Sequence, residues 1–128
     1  MVLPEEPVYV LADEDQLHRA LLNVLTNAYK YSPQGEPVRL GIALRKREGL
    51  PAQVHIQITD QGMGMTPDQL RRVFERFYRG DSSGRHSGAG LGLSVAKEII
   101  ELHQGQIEME TVFGQGTSVS IFLPLGQP

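Results

Sequence analysis

Six apolar residues, Leu17, Ala20, Leu21, Val24, Leu25 and Ala28, recur at i, i+3, i+4, i+7, i+8 and i+11. That period fits a helix with a single apolar face, which must be covered by another layer. Asp13 stands as its N-cap with Gln16 reaching back, and Ser32-Pro33-Gln34-Gly35 ends it. Two segments with a period of two follow. Val38, Leu40, Ile42 and Leu44 share one face, opposite Arg39 and Arg45. Val54, Ile56 and Ile58 share another, opposite His55, Gln57 and Thr59. The polar residues 45–49 between them read as a hairpin connection.

Thr66 and Gln69 bracket Pro67 as a capping box, starting a short helix through about residue 74. Residues 78–90 have no period and contain Gly80, Gly84, Gly88 and Gly90. A loop of that length in a compact domain is functional or disordered. Residues 91–103 return to a helical pattern, with Val95, Ile99 and Leu102 on one side, Ala96 and Ile100 beside them, and Gly105 as the C-terminal cap. Ile107 and Met109 then alternate with Glu108 and Glu110. A turn over Phe113-Gly114-Gln115-Gly116 leads to a last strand with Thr117, Val119, Ile121 and Leu123 on one face. With a short strand at residues 8–12 the order is β-α-β-β-α-loop-α-β-β. This predicts an α/β (α+β) two-layer sandwich: a mixed, mostly antiparallel sheet covered on one face by about three helices.

The 128 residues suit a single domain over residues 1–128. A formal net charge of −3 offers no basic field for nucleic acid. Cysteine is absent, which excludes disulfides and thiolate metal sites and is compatible with a cytoplasmic location. No apolar run approaches the ~18–20 residues that span a bilayer, so no direct membrane insertion is expected. The four histidines, His18, His55, His86 and His103, lack zinc-ligand spacing. His103 stands near a helix C-terminus, where a cation is favourable.

Five places could carry chemistry. Asn23, Asn27 and Lys30 form one stripe at i, i+4 and i+7 beside the apolar face of the first helix. They are either a solvated flank or a set of amides and an ammonium for magnesium and phosphate oxygens. Asp60 falls by parity on the buried face of its strand, where a carboxylate needs donors. It either caps its own turn or accepts from a ligand amine, with Gly62 and Gly64 letting the backbone approach. Gly88-Ala89-Gly90-Leu91-Gly92-Leu93 runs into a helix start and reads as a phosphate loop or a linker. It does not satisfy G-x-G-x-x-G, and there is no Walker A lysine. Arg76 and Arg79 stand at the mouth of the long loop, as surface cations or as phosphate contacts. Thr117, inward by parity, holds a water near Asp60 or is an ordinary strand threonine.

In order along the chain, these pieces resemble the superfamily of DNA gyrase, heat-shock chaperone ATPases, mismatch-repair ATPases and histidine kinases. Residues 22–33, Leu22-Asn23-Val24-Leu25-Thr26-Asn27-Ala28-Tyr29-Lys30-Tyr31-Ser32-Pro33, resemble the histidine-kinase N box. Asp60-Gln61-Gly62-Met63-Gly64 resembles the first glycine box, and Val73-Phe74-Glu75-Arg76-Phe77-Tyr78-Arg79 the F box. Gly88 to Leu93 resemble the second glycine box, and Gly114-Gln115-Gly116-Thr117 the final glycine turn. The resemblance covers nearly the whole chain.

It implies the Bergerat ATP-binding fold and a catalytic domain of a sensor histidine kinase, with ATP and Mg2+ as cofactors. Asn27, with Asn23, corresponds to the magnesium-binding position, and Lys30 and Arg79 to phosphate contacts. Tyr31 corresponds to an aromatic near adenine, and Asp60 to the carboxylate that accepts from its amino group. Gly62, Gly64, Phe77, Gly88, Gly90, Leu91, Gly92 and Thr117 complete the implied nucleotide site. Residues 78–90 correspond to an ATP lid, expected to be poorly ordered without nucleotide. Hydrolytic members carry a glutamate four residues before the magnesium asparagine. Here that position is Asn23, which cannot act as a base.

Transfer to a nucleophile from another domain is therefore expected over rapid hydrolysis, with Asn23, Lys30 and Arg79 as the catalytic set. The alternatives are an ATP-driven clamp and a silent nucleotide-binding module. Too few residues precede the first helix for a phosphoacceptor hairpin. The chain is therefore expected to be a monomeric part of a longer sensor, working with a dimerisation and phosphotransfer domain and a response regulator.

Overall fold

The structure, a computed structural model, describes residues 3, 9–31, 37–46, 48–62, 64, 66–74 and 92–126; of residues 30, 31 and 92 it describes only the backbone. The elements are α1 (Glu14–Tyr31), β1 (Arg39–Arg45), β2 (Gln53–Asp60), α2 (Pro67–Arg72), α3 (Gly92–Leu102), β3 (Gln106–Val112) and β4 (Gly116–Pro124). The four strands form one sheet in the order β1-β2-β4-β3, every described pair antiparallel. α1 and α3 pack together on one face of this sheet, giving the expected two-layer architecture.

The apolar periods explain the core. Ala20, Val24 and Ala28 of α1 are buried, with Leu17, Leu21 and Leu25 half-buried beside them. Val54, Ile56 and Ile58 of β2 meet Val119, Ile121 and Leu123 of β4 in register, and Leu93, Ala96, Ile99 and Ile100 of α3 close over them. Fully burying each of the Val, Leu and Ile side chains here is worth about 1.5–3 kcal/mol, the alanines less.

Several expectations need correction. Residues 9–12 are not a strand: Gly126 N–H donates to Tyr9 O, no further rung forms among the described residues, and Pro124 ends β4 with no N–H to offer; residue 8 lies outside the described residues. Asp13 does cap α1, its Oδ1 accepting from Gln16 N–H at 3.0 Å. Its own N–H, however, donates to His103 Nε2 at 3.0 Å, in the place the Gln16 side chain was expected to fill. Leu102 is 76% exposed. The inward arc of α3 runs Leu93, Ala96, Ile100 and then His103, which turns Leu102 outward. β1 is an edge strand and leaves Leu44 exposed near its hairpin end. α2 stops at Arg72, with its Thr66/Gln69 capping box formed as expected.

The cap of α3 also differs from its reading. Gly105 N–H donates to Ile100 O and Gln104 N–H to Glu101 O, a Schellman arrangement in which the left-handed residue is Gln104, at φ 63°. Gly105 is required for another reason: a Cβ there would lie 2.3 Å from Phe122 O and 2.9 Å from Leu123 Cδ2.

On the sheet's other face Phe122 is buried although its parity points away from the helices. His55 stacks on it, with ring centroids 4.5 Å apart, and the Arg45 guanidinium sits 4.8 Å from its ring centre. Desolvation, and then the charge of Arg45, hold the His55 imidazole below its usual pKa of 6.5, against an opposing pull from Glu108. Its Nε2 is buried without a hydrogen-bond partner among the described residues.

Candidate functional site

The Asp13–His103 and Tyr9–Gly126 hydrogen bonds bring the start of α1, the end of α3 and the end of β4 together. Because α1 and α3 also pack along their lengths, they run antiparallel. The C-terminal end of α1 and the N-terminal end of α3 therefore share the far end of the helical layer. Asn27 lies about 21 Å along α1 from Asp13, at 1.5 Å per residue. In the sheet, β2 ends and β4 begins at this same far end, so Asp60 and Thr117 stand opposite the chain-entry end. They are roughly 17 Å along β4 from Phe122, at ~3.4 Å per residue.

Asp60 and Thr117 are register partners across β2 and β4. Both are buried, at 7% and 8% exposure, and they are the buried polar residues among the described ones. Asp60 Oδ1 accepts from Gly62 N–H at 2.8 Å. This is the self-capping turn foreseen as the simpler reading. It uses one carboxylate oxygen, and the hydrogen bonds of the described residues leave Oδ2 unengaged. A carboxylate oxygen can accept more than one hydrogen bond, so Asp60 has acceptor capacity for a ligand N–H.

The glycines here serve the protein's own backbone first. Gly64 has φ +69°, and a Cβ there would lie 2.3 Å from Val112 O. At Gly116, φ +130°, a Cβ would lie 2.3 Å from Asp60 O. Gly116 follows a turn closed by Gln115 N–H donating to Val112 O at 2.9 Å, with Gly114 at φ +87°. These glycines let the β3–β4 tip seat against the loop after β2, which holds Asp60 in place. Close approach of a ligand, the role foreseen for Gly64, is not what its missing Cβ first permits.

Asn23 and Asn27 are half-buried on α1, flanking the buried Val24 and Ala28. They sit at the rim of the core, as expected. Among the described residues no group of three or more His, Cys, Asp or Glu is placed to hold a metal ion; the side-chain amide oxygens of Asn23 and Asn27 could serve as ligands beside phosphate oxygens and water. Lys30 and Tyr31 lie in the last turn of α1, and Gly92 is the first residue of α3. Arg76, Phe77, Arg79, Gly88, Gly90, Leu91 and the whole 78–90 loop lie outside the described residues.

One residue was missed. Thr111, at the end of β3, donates its hydroxyl to Gly116 O at 3.1 Å and lies 3.0 Å from Thr117 Oγ1. Its signal was available: a hairpin with a turn over residues 113–115 pairs Thr111 with Thr117. A separate groove of about 570 Å³, between α3 and the start of β3, is lined by residues including Lys97, Glu101, Gln104 and Glu108. It lies at the chain-entry end, away from Asp60.

A profile of the family described as histidine kinase-, DNA gyrase B-, and HSP90-like ATPase matches residues 12–127. The chain is 37% identical over 124 residues to the sensor histidine kinase WalK of Bacillus subtilis (strain 168), and 38% identical to the sensor protein kinase WalK of Staphylococcus haemolyticus. In each case the match covers 95% of this chain and 20% of the relative, so the chain spans about a fifth of their length. Among solved structures, a mycobacterial sensor histidine kinase, MprB, superimposes with a TM-score of 0.79 at 36% identity. That match covers 99% of this chain and 84% of that one. Full-length ShkA, solved in complex with AMPPNP, gives 0.80 at 28% identity, covering 99% and 25%.

Proposed function

The chain belongs to the histidine kinase-, DNA gyrase B- and HSP90-like ATPase family, alongside its sensor histidine kinases, and from that premise we propose that it binds Mg-ATP and passes the γ-phosphate to a histidine on a separate dimerisation domain. The observation that carries this reading is the buried Asp60–Thr117 pair, an acceptor edge that fits the exocyclic amine of adenine. That ShkA crystallised in complex with AMPPNP supports a nucleotide at such a site.

Asn23 and Asn27 fit a magnesium ion, because neutral amides suffice where phosphates and water supply most of the coordination. Bound there, magnesium supplies neutralisation of phosphate charge. Lys30 and Arg79, with Gly88, Gly90, Leu91 and Gly92, are the residues we assign to the phosphates, and Tyr31 and Phe77 to the base and its surroundings. α3 opens at Gly92, and a helix start favours an anion. Asn23 takes no proton from water, so ATP is held without a hydrolytic base until an imidazole is presented. A response regulator is the onward acceptor we propose. We place the domain in the cytoplasm as one monomeric unit of a longer sensor; no helix among the described residues is long and apolar enough to cross a membrane.

The test is phosphotransfer in trans. The chain, radiolabelled Mg-ATP and the dimerisation hairpin of a WalK relative are mixed, and acid-labile, base-stable label is measured on the hairpin. Label that depends on the chain and falls on the order of 100-fold in Asn27→Ala is the expected result. Steady ATP hydrolysis by the chain alone, lost in Asn27→Ala, would instead identify a clamp-type ATPase. Nucleotide binding with no transfer to any hairpin would identify a silent module.

A further inference from the structure

Three side chains form a row across the inner face of the sheet: Thr111 of β3, Thr117 of β4 and Asp60 of β2, each the register partner of the next. Thr111 Oγ1 donates to Gly116 O, a carbonyl that can only accept. A hydroxyl has one proton. Either hydroxyl could be the donor across the 3.0 Å contact between Thr111 Oγ1 and Thr117 Oγ1; with the Thr111 proton on Gly116 O, it is the Thr117 proton that fills it. Thr117 Oγ1 keeps only lone pairs for anything that reaches it from the site. Asp60, beside it, is likewise an acceptor, with Oδ1 on Gly62 N–H.

From this chain of donors we infer that Thr111 is a positioning residue for base selection: by taking the Thr117 proton, it makes the Asp60–Thr117 edge acceptor-only, so that the site favours a 6-amino purine over a 6-oxo purine. The inference rests on the nucleotide reading above and adds the element that orients its hydroxyl. An exocyclic amine gives protons to such an edge, directly or through water. A 6-oxo group turns lone pairs toward lone pairs. The geometry is held from both sides. A Cβ on Gly64 would come within 3.0 Å of Thr111 Oγ1, and one on Gly116 within 2.3 Å of Asp60 O, so neither backbone strand can drift without disturbing the row. In Thr111→Val the shape is kept while the acceptor for the Thr117 proton is gone. The Thr117 hydroxyl is then free to rotate and donate to a 6-oxo group.

The experiment is calorimetric titration of wild type, Thr111→Val and Thr111→Ser with Mg-ATP and with Mg-ITP, alongside thermal denaturation of each protein. Wild type is expected to bind ATP at least ~10-fold tighter than ITP, roughly one well-made hydrogen bond. Thr111→Val should shrink that ratio about tenfold, and Thr111→Ser should restore it. A ratio unchanged in Thr111→Val overturns this inference while leaving the nucleotide reading intact. So does a parallel loss of both ligands with the ratio preserved, since that marks a purely structural role. If Thr111→Val does not fold, Thr111→Ser decides alone: a wild-type ratio supports the hydroxyl's role and a collapsed ratio overturns it. Wild type that binds neither nucleotide overturns the nucleotide reading itself, and this inference with it.

Discussion

At the end of the sandwich where α1 begins, Asp13 accepts from Gln16 N–H and its own amide donates to His103 Nε2. The other ring nitrogen, Nδ1, is 2.8 Å from Ile99 O. Both ring nitrogens of His103 are thus engaged by the protein's own backbone, which ties the two helix ends together. At the other end Asp60 makes a similar local bond, to Gly62 N–H, yet it is buried and retains acceptor capacity. The same residue type thus closes one end and leaves the other able to receive a donor. Engaging Asp13 and His103 on each other gives rigidity, whereas spare acceptor capacity on the buried Asp60 gives affinity for a ligand that brings a donor.

The largest effect that could break this contrast is Asp60→Asn. It should weaken Mg-ATP binding by about 2–3 kcal/mol, roughly 30–150-fold in Kd, while the urea midpoint moves little. A large stability loss with unchanged affinity would show that Asp60 serves the fold as Asp13 does. Next is Gly105→Ala at the closed end, where a Cβ would meet Phe122 O at 2.3 Å. It should cost about 1–3 kcal/mol of stability and leave ATP affinity within about twofold, measured by denaturation and calorimetry on the same sample.

The smallest effect concerns pH. Burial and Arg45 lower the folded-state pKa of His55, so the unfolded chain binds the proton more readily. Its contribution to stability is whole above the ordinary imidazole value of 6.5 and declines as pH falls below it, toward the folded value. His55→Leu should flatten the fall in stability between about pH 7 and pH 5 without changing ATP affinity. Equal slopes in the two proteins would contradict that.

Much of this fold was legible because periods of 3.6 and 2 are enforced by burial. The six-residue face of α1, the paired faces of β2 and β4, and the Thr66 box all stand where spacing put them. What was not legible depends on contacts between distant segments. Parity assigns Phe122 to the outer face but cannot say that His55 and Arg45 cover it. Glycine statistics favour Gly105 as the left-handed cap. The crowding of Phe122 O claims that glycine and moves the positive φ to Gln104. His103 takes the inward slot of α3 because the start of α1 offers it an N–H. For the site, Asp60 and Thr117 followed from parity, while the hydroxyl direction set by Thr111 needed the hairpin register. Arg79, Phe77 and the glycines of the 78–90 loop rest on motif order alone.

Mapping amide shifts in the ¹H–¹⁵N spectrum during titration with Mg-AMPPNP tests the central claim most directly. The account expects the perturbed amides to gather at Gly62, Gly64, Thr117, Asn27 and Gly92, with His103, Gly105 and Gly126 unmoved. Shifts centred on those last three, or none at millimolar nucleotide, would contradict it.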